Sequence, residues 1–253
     1  HSNEAEKLWM DGNTLKKGTG EWEVSDVKLW NTDDGTKKAY VLDEGTYYLG
    51  SNLNFTGNKT TTTECAIVIT GNVTLCLNDH SITCTDKENV ICVYAADCGS
   101  LTLTDCKSNG KIIGGTSAAV DVRNGKTFNM HGGTITKNGN GVRMSAGKFN
   151  MYGGEITKNN RGVDVGRYQP VFSVSGKATI TGNGKEDKAE NVYLNGDQTI
   201  HVTGELTGTI GVTAPDSSVG TPIVTLEDGG SITGSLGYDN GTYEIANGML
   251  KAH

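Results

Sequence analysis

The chain has 253 residues, and hydrophobic residues make up only 35% of them, which argues against one large compact core and for a thin, elongated one. A net charge of −7 without any run of Lys or Arg argues against nucleic acid and anionic membranes as partners. No stretch approaches the roughly 18 apolar residues of a membrane span, so membrane insertion is not expected.

The start, His1-Ser2-Asn3, lacks Met and reads as trimmed or recombinant, compatible with removal of a leader. Residues 1–50 hold all three tryptophans, Trp9, Trp22 and Trp30, and no repeat. They are expected to form an N-terminal cap on the same domain. The chain carries 36 Gly but only 3 Pro, with abundant Thr and Asn. Gly and Asn supply the positive-φ positions of tight turns, and Thr favours strands, so many short strands are expected.

Six cysteines cluster at Cys65, Cys76, Cys84, Cys92, Cys98 and Cys106. An even, clustered set in a polar chain suggests disulfides and export. The pairing is open; Cys98 with Cys106 is the local pair to test first, and buried free thiols are the rival reading. No CxxC pair favours a metal site. Asp79 and Asp105 fall at matching points after successive strands, and Asp33-Asp34 is another acidic turn. Calcium could bridge such acids, but the spaced ligand set of a calcium loop is absent, so no cofactor is assigned.

From the middle of the chain onward a repeat decides the fold. Residues 126–138 read KTFNMHGGTITKN, residues 147–159 read GKFNMYGGEITKN, and residues 171–183 read VFSVSGKATITGN. Each copy follows an apolar alternation: Val120/Val122, Val142/Met144, Val163/Val165 and Val192/Leu194. The steps between these are 22, 21 and 29 residues, the last enlarged by the polar stretch 182–190. Earlier copies show as Ile67-Val68-Ile69 and Ile91-Cys92-Val93, a later one as Ile210-Gly211-Val212. Each unit has three alternating stretches, such as Val142/Met144, Phe149/Met151 and Ile156, between Gly-rich turns. Period-2 alternation faces those side chains one way. Three sides of about seven residues close one coil, and coils stack about 4.8 Å apart by parallel pairing. The prediction is an all-β, three-sided parallel β-helix, right-handed by the crossover rule. Its rungs span residues 51–215. Residues 216–253 should close it with a hairpin or meander, signalled by Asp239-Asn240-Gly241 and Asn247-Gly248.

Stacking turns equivalent residues into columns. Asn138, Asn159 and Asn183 are expected to form an asparagine ladder, passing amide hydrogen bonds from coil to coil. The residue between the inward pair of the first strand gives Val68, Cys92, Asp121, Arg143, Asp164 and Tyr193. Asp121 and Asp164 flanking Arg143 read either as an alternating charge ladder or as a polar groove. Two rungs separate the acids by roughly 9–10 Å, near the upper end for an inverting glycosidase pair. The intervening Arg, however, favours both carboxylates as anions, the wrong direction for a general acid. The second strand gives an adjacent outward column, His131, Tyr152 and Ser175 with Thr203 as a candidate fourth member, next to Asn129, Asn150, Ser173 and His201. Rings beside amides and hydroxyls suit a sugar-binding face.

The segments GTYYLGSNLNFTG and ITGNVTLCLNDHSITC, within residues 45–84, together with the GGTITKN and GGEITKN units, resemble right-handed β-helix, pectin-lyase-like surface proteins of anaerobic gut bacteria. More distantly, the GG-[TE]-I units resemble the repeats of chlamydial polymorphic surface proteins, without the usual register of their F-x-x-N motif. The resemblance implies a secreted or wall-anchored, surface-exposed role. The expected function is a non-catalytic, adhesin-like extracellular module that binds a host protein or glycan, as a monomeric fragment of a larger surface protein. Its contact residues would be Asp121, Arg143, Asp164, Tyr193, His131 and Tyr152. The alternatives are a polysaccharide lyase or glycoside hydrolase using Asp121, Arg143 and Asp164, or a structural spacer.

Overall fold

A computed structural model describes residues 5–19, 24–31, 38–58, 64–95, 98–239 and 243–252. Trp22, Asp33-Asp34 and Asn240-Gly241 lie outside the described residues, as do the side chains of Trp30 and Cys98. The described chain is all β, a parallel solenoid of about 7 turns with an antiparallel N-terminal section. The strands of successive coils fall into three ladders, one per side. One ladder runs through Gly45–Leu49, Gly71–Cys76, Cys98–Thr104, Thr127–Met130, Lys148–Met151, Val171–Gly176 and Ile200–Leu206. A second runs through Lys38–Leu42, Cys65–Ile69, Asn89–Val93, Ala118–Val122, Asn140–Met144, Arg161–Val165, Val192–Leu194 and Thr209–Thr213. The third holds the short strands around Ile82, Ile112, Ile135, Ile156 and Ile180.

The register is the one the repeat predicts. Val120 pairs with Val142 and Val142 with Val163, and Val163 pairs with Val192 across the enlarged step. All eight inward residues of those strands are at most 1% exposed. On the second side Phe128, Phe149 and Phe172 stack, with ring centroids 4.8 and 5.2 Å apart. Each such aromatic contact contributes about 0.5–1.5 kcal/mol beyond its area burial. The corner before the ladder asparagine takes positive φ in three successive coils, at Lys137 (58°), Lys158 (56°) and Gly182 (64°).

Parallel pairing starts before residue 51 and continues past residue 215. Lys38–Leu42 and Gly45–Leu49 already pair parallel with the first repeat coil. Antiparallel strands Glu6–Asp11, Thr14–Gly18 and Val24–Asp26 cover that end. Trp9 is half-buried there, with the Lys7 ammonium 5.6 Å from its ring centroid. At the other end Ser235–Tyr238 pairs parallel with Thr209–Thr213, so Tyr238 belongs to the solenoid and not to a meander. The hairpin itself is Tyr243–Ala246 with Met249–Ala252, turning at Asn247 (φ 52°) and Gly248 (φ 76°), as a primed turn requires.

Cys65 and Cys92 form a disulfide between adjacent coils, with Cα atoms 6.3 Å apart. Such a bond fits an oxidising setting. Cys76 and Cys84 are buried free thiols and Cys106 an exposed one. Because the Cys106 thiol is free, the expected Cys98–Cys106 pairing is not formed. Asp105 Oδ1 accepts from the backbone N–H groups of Asp79 (3.0 Å) and Lys107 (3.4 Å), and Oδ2 from Gly110 (2.6 Å). It closes a turn.

Candidate functional site

The first-strand sheet sets Asp121, Arg143, Asp164 and Tyr193 side by side in that order. Their environments differ more than alternation suggests. Asp121 is 0% exposed, which corrects the expectation of an open polar groove at this residue. Arg123 and Arg143 both close on its Oδ2, the latter at 2.7 Å, and Arg143 Nε donates to Oδ1 at 3.1 Å. Arg143 also donates to Ser117 Oγ. Hydrogen bonding to Asp121, working against burial, holds the Arg143 guanidinium still more firmly charged than usual. A carboxylate taken out of water persists only when paired in this way. Asp121 is therefore a neutralised anion within the wall, unavailable to a substrate.

Asp164 belongs to a separate network. It accepts from Asn195 Nδ2 at 2.9 Å and pairs with Arg161 Nη1 at 3.2 Å. Arg161 is the residue that sequence reasoning missed. Its guanidinium lies 3.6 Å from the Tyr193 ring centroid and binds Glu190 through Nε (2.9 Å) and Nη2 (2.8 Å). Strict alternation from inward Val163 puts Arg161 inward as well. The ladder corner just before it breaks the alternation and releases the side chain outward. Burial pushes the Glu190 carboxyl up, but hydrogen bonds from Lys188 and Arg161, with their charges, outweigh it and hold it below the ordinary range. The enlarged step in the repeat is a small hairpin, Gly184–Lys185 with Lys188–Ala189. It walls a groove of about 580 Å³ lined by Ser117, Asn140, Asn160, Arg161, Lys188 and Glu190. The cations and the acid of this groove largely satisfy one another, apart from Lys185.

The second-strand sheet carries the other column. Asn129, Asn150, Ser173 and His201 follow one another in register. Asn150 Nδ2 donates to Asn129 Oδ1 at 2.9 Å, and His201 Nδ1 lies 2.7 Å from Glu227 Oε1. Two residues further along the strands, His131 and Tyr152 stack with centroids 4.6 Å apart and planes 20° from parallel. Both are exposed, Tyr152 by 40%. They edge a groove of about 560 Å³ that also meets Asp105, Glu155 and Lys177. The glycine pairs Gly132-Gly133 and Gly153-Gly154 form its floor. Gly133 (φ 83°) and Gly154 (φ 86°) adopt a backbone that other residues resist, and a Cβ there would press on Leu77 and Met130 of earlier coils, so these corners need glycine for the coils to stack.

Among the described residues no group of three or more His, Cys, Asp or Glu is placed to hold a metal ion. No described helix is long and apolar enough to cross a membrane. Comparison with family models, curated proteins and solved structures finds no match for this chain.

Proposed function

We propose that the chain is a non-catalytic binding module that recognises a glycan through the His131–Tyr152 groove. The observation that carries this reading is an exposed, mutually stacked ring pair at the edge of an open groove. Sugar C–H faces pack on aromatic rings, while the Glu155 carboxylate, the Lys177 ammonium and the Asn129–Asn150 amides offer partners to hydroxyls. These groups sit on strands and tight corners, so little ordering entropy opposes binding. The charged column supports the polysaccharide-cleaving alternative less well, because Asp121 has no exposed surface. Display outside the cell accords with the Cys65–Cys92 bond. The resemblance of the segments within residues 45–84, together with the GGTITKN and GGEITKN units, to β-helix surface proteins of anaerobic gut bacteria favours a surface role.

The test is a glycan array followed by calorimetry on the strongest binder. Tyr152→Ala should weaken binding about tenfold or more, with the melting temperature lowered by only a few degrees, because the ring is partly exposed and gives up one stacking contact. The reading is wrong if no glycan binds and host proteins do, or if Tyr152→Ala binds as tightly as the parent. Release of new reducing ends from a bound polysaccharide would make the protein an enzyme.

A further inference from the structure

We propose that Cys76 and Cys106 form a second disulfide between coils when the folded protein meets a small-molecule disulfide oxidant such as oxidised glutathione. The strands Gly71–Cys76 and Cys98–Thr104 pair in parallel, with Thr104 opposite Cys76. Leu77 N–H then donates to Thr104 O at 2.9 Å, and the chain turns so that Cys106 N–H donates to Cys76 Sγ at 3.4 Å. That contact sets the Cys76 sulfur directly against the backbone of Cys106. The spacing of about 4.8 Å between coils holds for Thr104, the residue opposite Cys76, and the turn after it brings the Cys106 backbone against the Cys76 sulfur, within reach of a bond that spans roughly 4.4–6.8 Å between Cα atoms.

The placement mirrors the bond already present. Cys65–Cys92 joins strands Cys65–Ile69 and Asn89–Val93 on one side of two successive coils. Cys76 ends, and Cys106 follows, the next strands of those same two coils, on the neighbouring side. The second bond would thus fasten one pair of coils at two corners.

Exposure assigns the order of events. Cys106 is exposed and Cys76 is 5% exposed. The Cys106 thiol loses its proton to water and attacks one sulfur of oxidised glutathione. A Cys106–glutathione mixed disulfide forms and one glutathione thiolate leaves. Cys76 then loses its proton and attacks the Cys106 sulfur, expelling the second glutathione. Two protein thiols are oxidised by two electrons, and one oxidised glutathione is reduced to two thiols. The hydrogen bond to Cys76, then burial, hold the Cys106 thiol above its ordinary range. The first step should therefore accelerate as pH rises. Cys84 is an internal control: burial pushes its thiol up to about 12, and it should stay reduced.

The experiment treats the folded chain with oxidised glutathione, quenches in acid, labels the remaining thiols in denaturant and maps the peptides. The expected product is a Cys76–Cys106 linked peptide, with Cys84 still labelled. Material that carries this peptide before treatment supports the proposal equally. In Cys76→Ser the reaction should stop at the mixed disulfide on Cys106, at a level roughly tenfold above the parent. Accumulation of that mixed disulfide in the parent without the linked peptide would overturn the proposal. So would a bond from Cys106 to any other cysteine, or full retention of both thiols.

Discussion

Asn159 works through both ends of its amide. Its Nδ2 donates to Ile135 O (3.0 Å), Thr157 O (3.2 Å) and Asn183 Oδ1 (2.9 Å), and its Oδ1 accepts from Asn138 N (3.0 Å) and Nδ2 (2.9 Å). The residue is 1% exposed, so no water replaces these partners. Asn159→Ala should cost about 1–3 kcal/mol, since it strands buried donors and acceptors in two neighbouring coils. Lys185→Ala, on the exposed hairpin, should cost almost nothing. Equal shifts in urea midpoint for the two variants would contradict the role of the amides. The column of Asn138, Asn159 and Asn183 was legible because the repeat sets those residues at one position. Its continuation was not. Asn183 passes on to Asn191 (Nδ2 to Oδ1, 3.0 Å), and Asn191 ends on Asp239 (2.6 Å). The inserted hairpin breaks the spacing before Asn191, and Asp239 looked like a turn residue. Arg161 was hidden for a related reason: alternation fails at a corner, where the backbone bends.

At the scale of the element, the hairpin Gly184–Lys185 with Lys188–Ala189 interrupts an otherwise regular coil, and Glu190 anchors its base. Glu190 Oε1 meets Lys188 Nζ at 2.6 Å, and Oε2 meets Arg161 Nη2 at 2.8 Å. The hairpin's existence could be read from the 29-residue step, but its anchor could not, because Arg161 lies one coil earlier in the chain. The depressed Glu190 value gives a signed expectation. A carboxyl whose folded value lies below its ordinary 4.5 stabilises the fold above that pH. The contribution fades as pH falls through the lower folded value. Glu190→Gln should therefore be less stable than the parent at about pH 7, and the gap should shrink as the pH falls below 4.5 and vanish in stronger acid. Added salt should narrow the gap at neutral pH, because Lys188 is largely exposed. A gap that persists unchanged in acid would mean that Glu190 acts by packing and not by charge.

Over the whole molecule, each coil touches mainly its two neighbours, so stability is a sum of coil and interface contributions and not the property of one core. The three-sided plan was legible because the central coils are nearly copies of one another. The limits were not, because the first and last coils keep the inward alternation without the GG-x-I signature: Tyr40/Leu42 and Tyr47/Leu49 are buried like their counterparts in the centre. The coils also differ in how well they are held. The centre has the phenylalanine stack and the amide ladder, and the early coils have the Cys65–Cys92 bond. In the last coil Leu226 is 56% exposed and Ile232 39% exposed. Opening should therefore begin at the C-terminal coil. In native-state hydrogen exchange, the amides of Ile232, Leu236 and Gly237 should exchange through a local opening well below the global stability, and those of Phe149, Val163 and Asn159 near the global limit. Reducing Cys65–Cys92 should raise exchange in Cys65–Ile69 and Asn89–Val93 while leaving Lys148–Met151 nearly unchanged, since the effect must cross several interfaces to reach it. Uniform protection from end to end, or a reduction effect equal in all coils, would show that the solenoid opens as a single cooperative unit and that the nearest-neighbour description fails for it.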